Sequence, residues 1–242
     1  ITGDMQALDH LLEQKPQSAL GIGDLHATAR NMQQAVNVYS RLISPESTDT
    51  DALAKRGDAY AALTQWDNAF ADWRRAAKFQ TGLLRAPFDR LRLAGQWQSA
   101  SKLGVRLSEE APGNRMTWMK TAPTFVLSDD EAGYREFCEL MMQQFADTTV
   151  QAEAEALCKS CLLLPGAVDI AALPLEVFPD PLDQGKTPIG LRGWFWAARA
   201  LVAYRSGDMN LASTYTQKAF QSQPALPARA LTYSIAALER HG

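Results

Sequence analysis

Residues 53–77 read LAKRGDAYAALTQWDNAFADWRRAA, and the order of small and aromatic residues in this stretch decides the fold. Gly57, Ala69 and Ala76 are small, Tyr60 and Trp73 are large, and they lie on either side of the polar turn Leu63-Thr64-Gln65-Trp66-Asp67. In a helical hairpin the first helix passes close to the second. Small residues set that distance, and large ones fill the space around the crossing. The same pattern stands 34 residues upstream, where Gly23, Asp24, Ala35, Tyr39 and Leu42 precede Gly57, Asp58, Ala69, Trp73 and Ala76. A fixed period of this size marks stacked helical hairpins. Downstream the interval falls to 31, from Trp66 to Trp97 and from Ala69 to Ala100. Residues are therefore missing from the linker or the first helix of the third hairpin, and Pro87 makes that helix irregular.

Leu53, Gly57, Tyr60, Ala69, Trp73 and Ala76 fall where a tetratricopeptide repeat has its apolar start, Gly, Tyr, Ala, aromatic and Ala, so the stretch resembles that family. The resemblance implies an all-α, TPR-like right-handed solenoid of antiparallel helix pairs with a capping C-terminal helix. One repeat domain over residues 1–242 is expected, with units near 17–50, 51–81, 82–114, 115–148, an irregular 149–189, then 190–225 and a cap at 226–242. Pro112 stands as a closing Pro, and Trp118 opens a fourth hairpin that continues through Ala122, Phe125, Tyr134, Cys138 and Met141. Ser128 with Glu131, and Thr148 with Gln151, read as capping boxes. Five of the 12 prolines lie between Pro165 and Pro188, which breaks any long helix there and leaves a short one between Asp169 and Val177. From Trp194 the spacing resumes through Trp196, Ala200, Ala203, Ala212, Ala219 and Pro224.

Composition agrees with helices. The 242 residues include 38 Ala and 29 Leu but only 14 Val and Ile together, which disfavours a sheet-based enzyme fold. A net charge of -3 without a basic block argues against a nucleic-acid surface. No apolar run approaches the roughly 18 to 20 residues of a membrane span, so no membrane insertion is expected. Three cysteines, Cys138, Cys158 and Cys161, are too few and too odd in number for a secreted disulfide framework, and point to a reducing, cytoplasmic compartment. The opening Ile1-Thr2-Gly3-Asp4 has neither an initiator Met nor a signal segment, so a piece of a longer protein is expected.

The second half carries a narrower resemblance. Gly133-Tyr134-Arg135-Glu136-Phe137-Cys138, Gln144-Phe145-Ala146-Asp147-Thr148, Cys161-Leu162-Leu163-Leu164-Pro165-Gly166-Ala167-Val168 and Ala203-Tyr204-Arg205-Ser206-Gly207-Asp208 occur in this order. They look like the repeat-containing C-terminal tails of large planctomycete-type bacterial proteins, in which a serine/threonine kinase domain, WD40 repeats or both precede the tail. The Pro-rich stretch departs from those tails, which more often continue as a helix. The chain itself has no glycine-rich phosphate loop, His-Arg-Asp loop or Asp-Phe-Gly motif, so kinase activity is not carried over. The resemblance implies a non-catalytic module without a cofactor. Its expected partner is a protein or peptide, and within such a parent it would supply recruitment, substrate selection or self-association.

Two surfaces are candidate partner sites. Residues directly after the repeated Gly face the concave side of such arrays: Asp24, Asp58 and, in the shortened repeat, Asp89. They form either an acidic stripe for a partner or internal pairs with Lys55, Arg85 and Arg92, and the pairs are the favoured reading. The family's clamp for a partner's terminal carboxylate needs Lys and Asn where this chain has Leu20, Asp24, Ala54, Lys55 and Asp58, which disfavours a chaperone-tail receptor. The second surface is the Pro-rich stretch, with Phe178, Asp180, Asp183, Lys186 and the adjoining Trp194. Most of the six tryptophans are expected in the core. Cys158-Lys159-Ser160-Cys161 matches C-x-x-C, but it sits within a helix and has no second ligand pair, so buried small residues are preferred to a redox or zinc site. The rival readings are a structural spacer between domains and a thiol-active protein or enzyme accessory using Cys158 and Cys161.

Overall fold

The computed structural model describes residues 16–177, 189–222 and 226–239. Among them the chain forms twelve α-helices and two short 3-10 turns, without a strand. It divides into two compact units, with the boundary between Glu110 and Ala111.

The N-terminal unit contains three helix pairs. They are α1 (Pro16–Thr28) with α2 (Met32–Leu42), α3 (Thr50–Ala62) with α4 (Trp66–Ala77), and α5 (Arg85–Leu93) with α6 (Trp97–Glu110). A 3-10 turn at Thr81–Leu84 precedes α5, which is only nine residues long. The shortened interval therefore falls on the first helix of the third pair, and Pro87 is accommodated in its first turn, where a missing N–H leaves no helical bond unmade.

The C-terminal unit pairs α7 (Arg115–Leu127) with α8 (Glu131–Phe145), and α10 (Ile189–Arg205) with α11 (Met209–Gln221). Between them α9 (Gln151–Cys161) packs on α7, α8 and α10, while α12 (Leu226–Glu239) lies against both α10 and α11 as the expected cap does. The short helix expected between Asp169 and Val177 is a single 3-10 turn, Ile170–Ala172.

One turn geometry closes the first helix of all five pairs. Arg30, Thr64, Gly95, Asp129 and Gly207 have φ of 62, 60, 71, 55 and 81°. In each case the next residue donates its backbone N–H to the carbonyl five residues back: Asn31 to His26, Gln65 to Tyr60, Gln96 to Leu91, Asp130 to Phe125 and Asp208 to Ala203, at 2.8 to 3.0 Å. This is the Schellman arrangement, which satisfies the last carbonyls of the first helix and reverses the chain. The positions 30, 64, 95 and 129 restate the 34- and 31-residue intervals as backbone conformation.

The close crossings are where the residue types require them. A Cβ on Gly57 would stand 2.6 Å from Nε1 and 2.7 Å from Cδ1 of Trp73, and a Cβ on Gly23 would overlap the Tyr39 ring. In the third pair the sizes are exchanged. Phe88 is 31 residues after Gly57, Gly104 is 31 after Trp73, and both are buried, so the large side chain has moved to the first helix. In the C-terminal unit Trp118 stacks on Phe137 with centroids 5.1 Å apart and donates its indole N–H to Pro112 O at 3.0 Å, tying the expected opening aromatic to the preceding Pro.

Two caps differ from the expected boxes. At α8 the side chain of Asp130 accepts from Gly133 N at 2.9 Å, whereas Ser128 Oγ donates backwards to Phe125 O. At α9 the N-cap residue is Val150, and Thr148 Oγ1 accepts from Val150 N and donates to Glu153. Acidic and hydroxyl residues open both helices as expected, but the capping atoms are displaced along the chain.

Candidate functional site

The N-terminal unit carries a groove of about 750 Å³ across α1, α3 and α5. Its apolar lining includes Ala27, Met32, Ala59, Ala62, Trp66 and Leu93, and Leu93 is 89% exposed. Set into this surface is a repeated arrangement of charges. Asp24 accepts the Tyr39 hydroxyl at 2.7 Å and the Lys55 ammonium at 2.7 Å. One repeat later Asp58 accepts the Trp73 indole N–H at 3.1 Å and pairs with Arg90. Each Asp follows the close-approach Gly, so it is placed beside the aromatic that fills that approach. Its other oxygen, or the far side of the same one, is left to a cation from the first helix of the next pair.

The electrostatics follow from this wiring. Burial disfavours the Lys55 charge, but the hydrogen bond to Asp24 and the fields of Asp51 and Asp24 outweigh it and hold the ammonium above its ordinary range. Burial and the bond to Asp24 push the Tyr39 hydroxyl well up, so it stays a donor. Both carboxylates line the groove with their side chains 44% and 43% exposed, so each keeps acceptor capacity beyond its two partners, since a carboxylate offers about four acceptor positions.

Of the candidate residues, the groove brings together Asp24, Lys55 and Asp58. Asp89 and Arg92 pair with one another at 2.9 Å, Arg92 also lies over the Phe88 ring, and neither lines the groove. Arg85 is exposed and also stands outside the lining. The partner of Asp58 is Arg90, which sequence reasoning missed because the interval here is 31 and Arg90 stands one helical turn beyond Ala86, the position that repeats Lys55. Tyr39, Trp66 and Leu93 were also missed as lining residues, since aromatic and apolar side chains at repeat positions read as core. Two of the three acids pair with an expected cation, Asp24 with Lys55 across helices and Asp89 with Arg92 within one, whereas Asp58 takes Arg90 in place of an expected partner.

Phe178, Asp180, Asp183 and Lys186 lie outside the described residues. Trp194 is half-buried on α10, and Lys159 of α9 places its ammonium 4.0 Å from the ring centroid. Trp73, Trp118 and Trp196 are buried, whereas Trp66, Trp97 and Trp194 are half-buried, so three of the six tryptophans and not most of them are core. All three thiols are buried and free. Burial pushes Cys158 up to about 12, and a hydrogen bond to Cys138 together with burial pushes Cys161 up, the opposite of the activation a nucleophilic thiol needs. Cys161 engages Cys138 rather than Cys158: its Sγ donates to the Cys138 carbonyl of the neighbouring helix at 4.0 Å. Among the described residues no group of His, Cys, Asp and Glu is placed to hold a metal ion. No helix among them is long and apolar enough to cross a membrane.

No family model matches this chain, and no curated protein matches it. Among solved structures it is similar to MamA AMB-1, at 15% identity and TM-score 0.41, covering 84% of this chain and 96% of that one. It is also similar to Pseudomonas aeruginosa pilF, at 11% identity and TM-score 0.40 over 93% and 98% of the two chains. A tetratricopeptide repeat protein from Parabacteroides merdae shares 10% identity at TM-score 0.40 over 96% and 90%.

Proposed function

We propose that the chain is a non-catalytic protein-recognition module whose N-terminal groove takes an extended segment of a partner. The observation that carries this reading is the pair of pre-positioned carboxylates, Asp24 and Asp58, each held by an aromatic donor and a cation at the rim of an apolar groove. An extended peptide presents backbone N–H groups at regular intervals. Immobilised acceptors bind those groups without first losing side-chain entropy. Exposed Leu93, with Met32 and Trp66, supplies apolar anchors between the charges. Because each Asp is matched by Lys55 or Arg90, the groove has no large excess of either sign and suits a segment of low net charge.

The tail resemblance in residues 133–208 supports placing this module within a larger bacterial protein of the serine/threonine kinase or WD40 kind. Selection of a displayed random-peptide library on the chain tests the reading. Enriched peptides are expected to lose about tenfold in affinity on Leu93→Glu, a change that perturbs one exposed anchor and no buried contact. Enriched peptides that bind the Leu93→Glu protein unchanged refute the groove, and a library that yields no enrichment supports the spacer reading instead.

A further inference from the structure

The C-terminal unit contains a second, smaller cavity of about 180 Å³ between α7, α9 and α10. Its apolar walls are Met116, Met119, Leu191, Trp194 and Phe195, and its polar edge is the ion pair of Glu155 and Lys159, with Arg115 exposed beside it. The pair is one turn apart on α9, and its two side chains are only 9% and 10% exposed. The Lys159 ammonium is fixed between the Glu155 carboxylate and the face of Trp194. A buried ion pair adds little to stability compared with apolar residues of the same volume, so folding alone does not explain one at the edge of a cavity. A dry cavity of roughly 150 Å³ lined by apolar side chains holds a benzene ring, so this one accommodates a single six-membered ring with a small substituent.

We propose that Lys159 is an imine-forming amine that holds a small aromatic aldehyde in this cavity. The ring lies among Met116, Met119, Trp194 and Phe195, whose thioether and aromatic groups suit a flat, polarisable guest. Glu155 is the proton carrier. It takes a proton from the ammonium, and the free amine attacks the carbonyl carbon. As the N–C bond forms, the C=O pair moves to oxygen, which receives the proton from Glu155. The nitrogen then returns a proton to Glu155, which delivers it to the hydroxyl as the C–O bond breaks and water leaves. The net change converts ammonium plus aldehyde into iminium plus one water, and the charge beside Glu155 and Trp194 is the same before and after. Desolvation favours the first step, because burial lowers Lys159 from its ordinary range and raises Glu155 from its own, against the attraction between them.

The test uses the unaltered chain. It is incubated with benzaldehyde, reduced with borohydride to fix any imine as a secondary amine, digested and mapped by mass spectrometry. Lys159 is expected to be trapped about tenfold faster than exposed Lys78 and Lys102, and an excess of toluene is expected to suppress labelling at Lys159 but not at those two. Labelling of Lys159 no faster than that of Lys78 and Lys102 overturns the proposal and leaves the ion pair a structural feature. Labelling that toluene does not suppress overturns the cavity as the binding site.

Discussion

Replacing Gly57 with Ala places a methyl group 2.6 Å from Trp73 Nε1, 2.7 Å from its Cδ1 and 3.2 Å from the Ala69 carbonyl oxygen. The indole has no room to yield: Trp73 is 1% exposed, and its N–H is held by Asp58 at 3.1 Å. Overpacking of this kind costs about 1–3 kcal/mol. Displacing the ring also weakens the indole hydrogen bond, worth about 1 kcal/mol. Against these stands the gain of replacing Gly by Ala within a helix, about 1 kcal/mol. The net expectation is a loss of about 1–3 kcal/mol. Gly21 supplies the internal control, since it is an exposed helical glycine with nothing within 4 Å of an added Cβ. Gly21→Ala should therefore show the helix gain alone, and the two variants should differ by about 2–4 kcal/mol. Urea unfolding followed by far-ultraviolet circular dichroism measures both as shifts of midpoint at constant slope. Trp73→Ala ends the side chain at Cβ and so removes the Cδ1 and Nε1 atoms that the new methyl meets, and in that background the penalty of Gly57→Ala should fall by about 1 kcal/mol or more. A Gly57→Ala protein as stable as the Gly21→Ala protein, or strict additivity with Trp73→Ala, refutes the close-crossing argument.

Three further outcomes test other parts of the fold. Arg56 joins Asp72 through two bonds of 2.7 and 2.8 Å and donates to Ser40 at 3.2 Å, so Asp72→Ala, which strands a half-buried guanidinium, should cost about 2–4 kcal/mol in urea unfolding, with Arg56→Met in the same chain restoring much of it. Asp130→Ala should destabilise by about 1 kcal/mol through loss of the α8 cap, and Ser128→Ala should cost less, the reverse of what a capping box at Ser128 requires. Cys158 is raised in the folded chain from 9.0 to about 12; its contribution to stability is therefore complete below pH 9 and is lost as pH rises from 9 towards 12, and iodoacetamide at pH 8 should alkylate it only after urea is added.

The repeat was legible because its physical demands fall on residue size. A crossing too close for a side chain needs Gly23 or Gly57, and the space beside it needs Tyr39 or Trp73, so the letters themselves carry the geometry. The turn was less legible because its demand falls on the backbone. Only Gly95 and Gly207 announce a positive φ; Arg30, Thr64 and Asp129 adopt the same conformation at a cost that the two Schellman hydrogen bonds offset. The capping residues slipped for a related reason, since Ser128, Asp129 and Asp130 all suit a helix start. Only the turn, by placing Asp129 at φ 55°, makes Asp130 the cap. In the groove the acids were found and one cation was not. Lys55 and Arg90 do the same work, but Arg90 stands one helical turn beyond Ala86, the position 31 residues after Lys55, so the repeat spacing does not point to it.

That wiring changes how the acidic residues can be tested. Asp58 is at once a rim residue of the groove and the acceptor for the Trp73 indole, and Asp24 plays both parts with Tyr39. Charge reversal at either would remove a buried donor's partner as well as a surface charge, so lost binding would not separate recognition from folding. Arg90 and Leu93 are free of that ambiguity because their functional atoms reach the groove from α5 without supporting the crossing. If Asp58 serves only to hold Trp73, Arg90→Gln leaves peptide affinity unchanged. If the carboxylate also serves as an acceptor for a partner, the loss of its cation alters affinity while the unfolding midpoint stays within about 0.5 kcal/mol of the parent, as expected for an exposed pair.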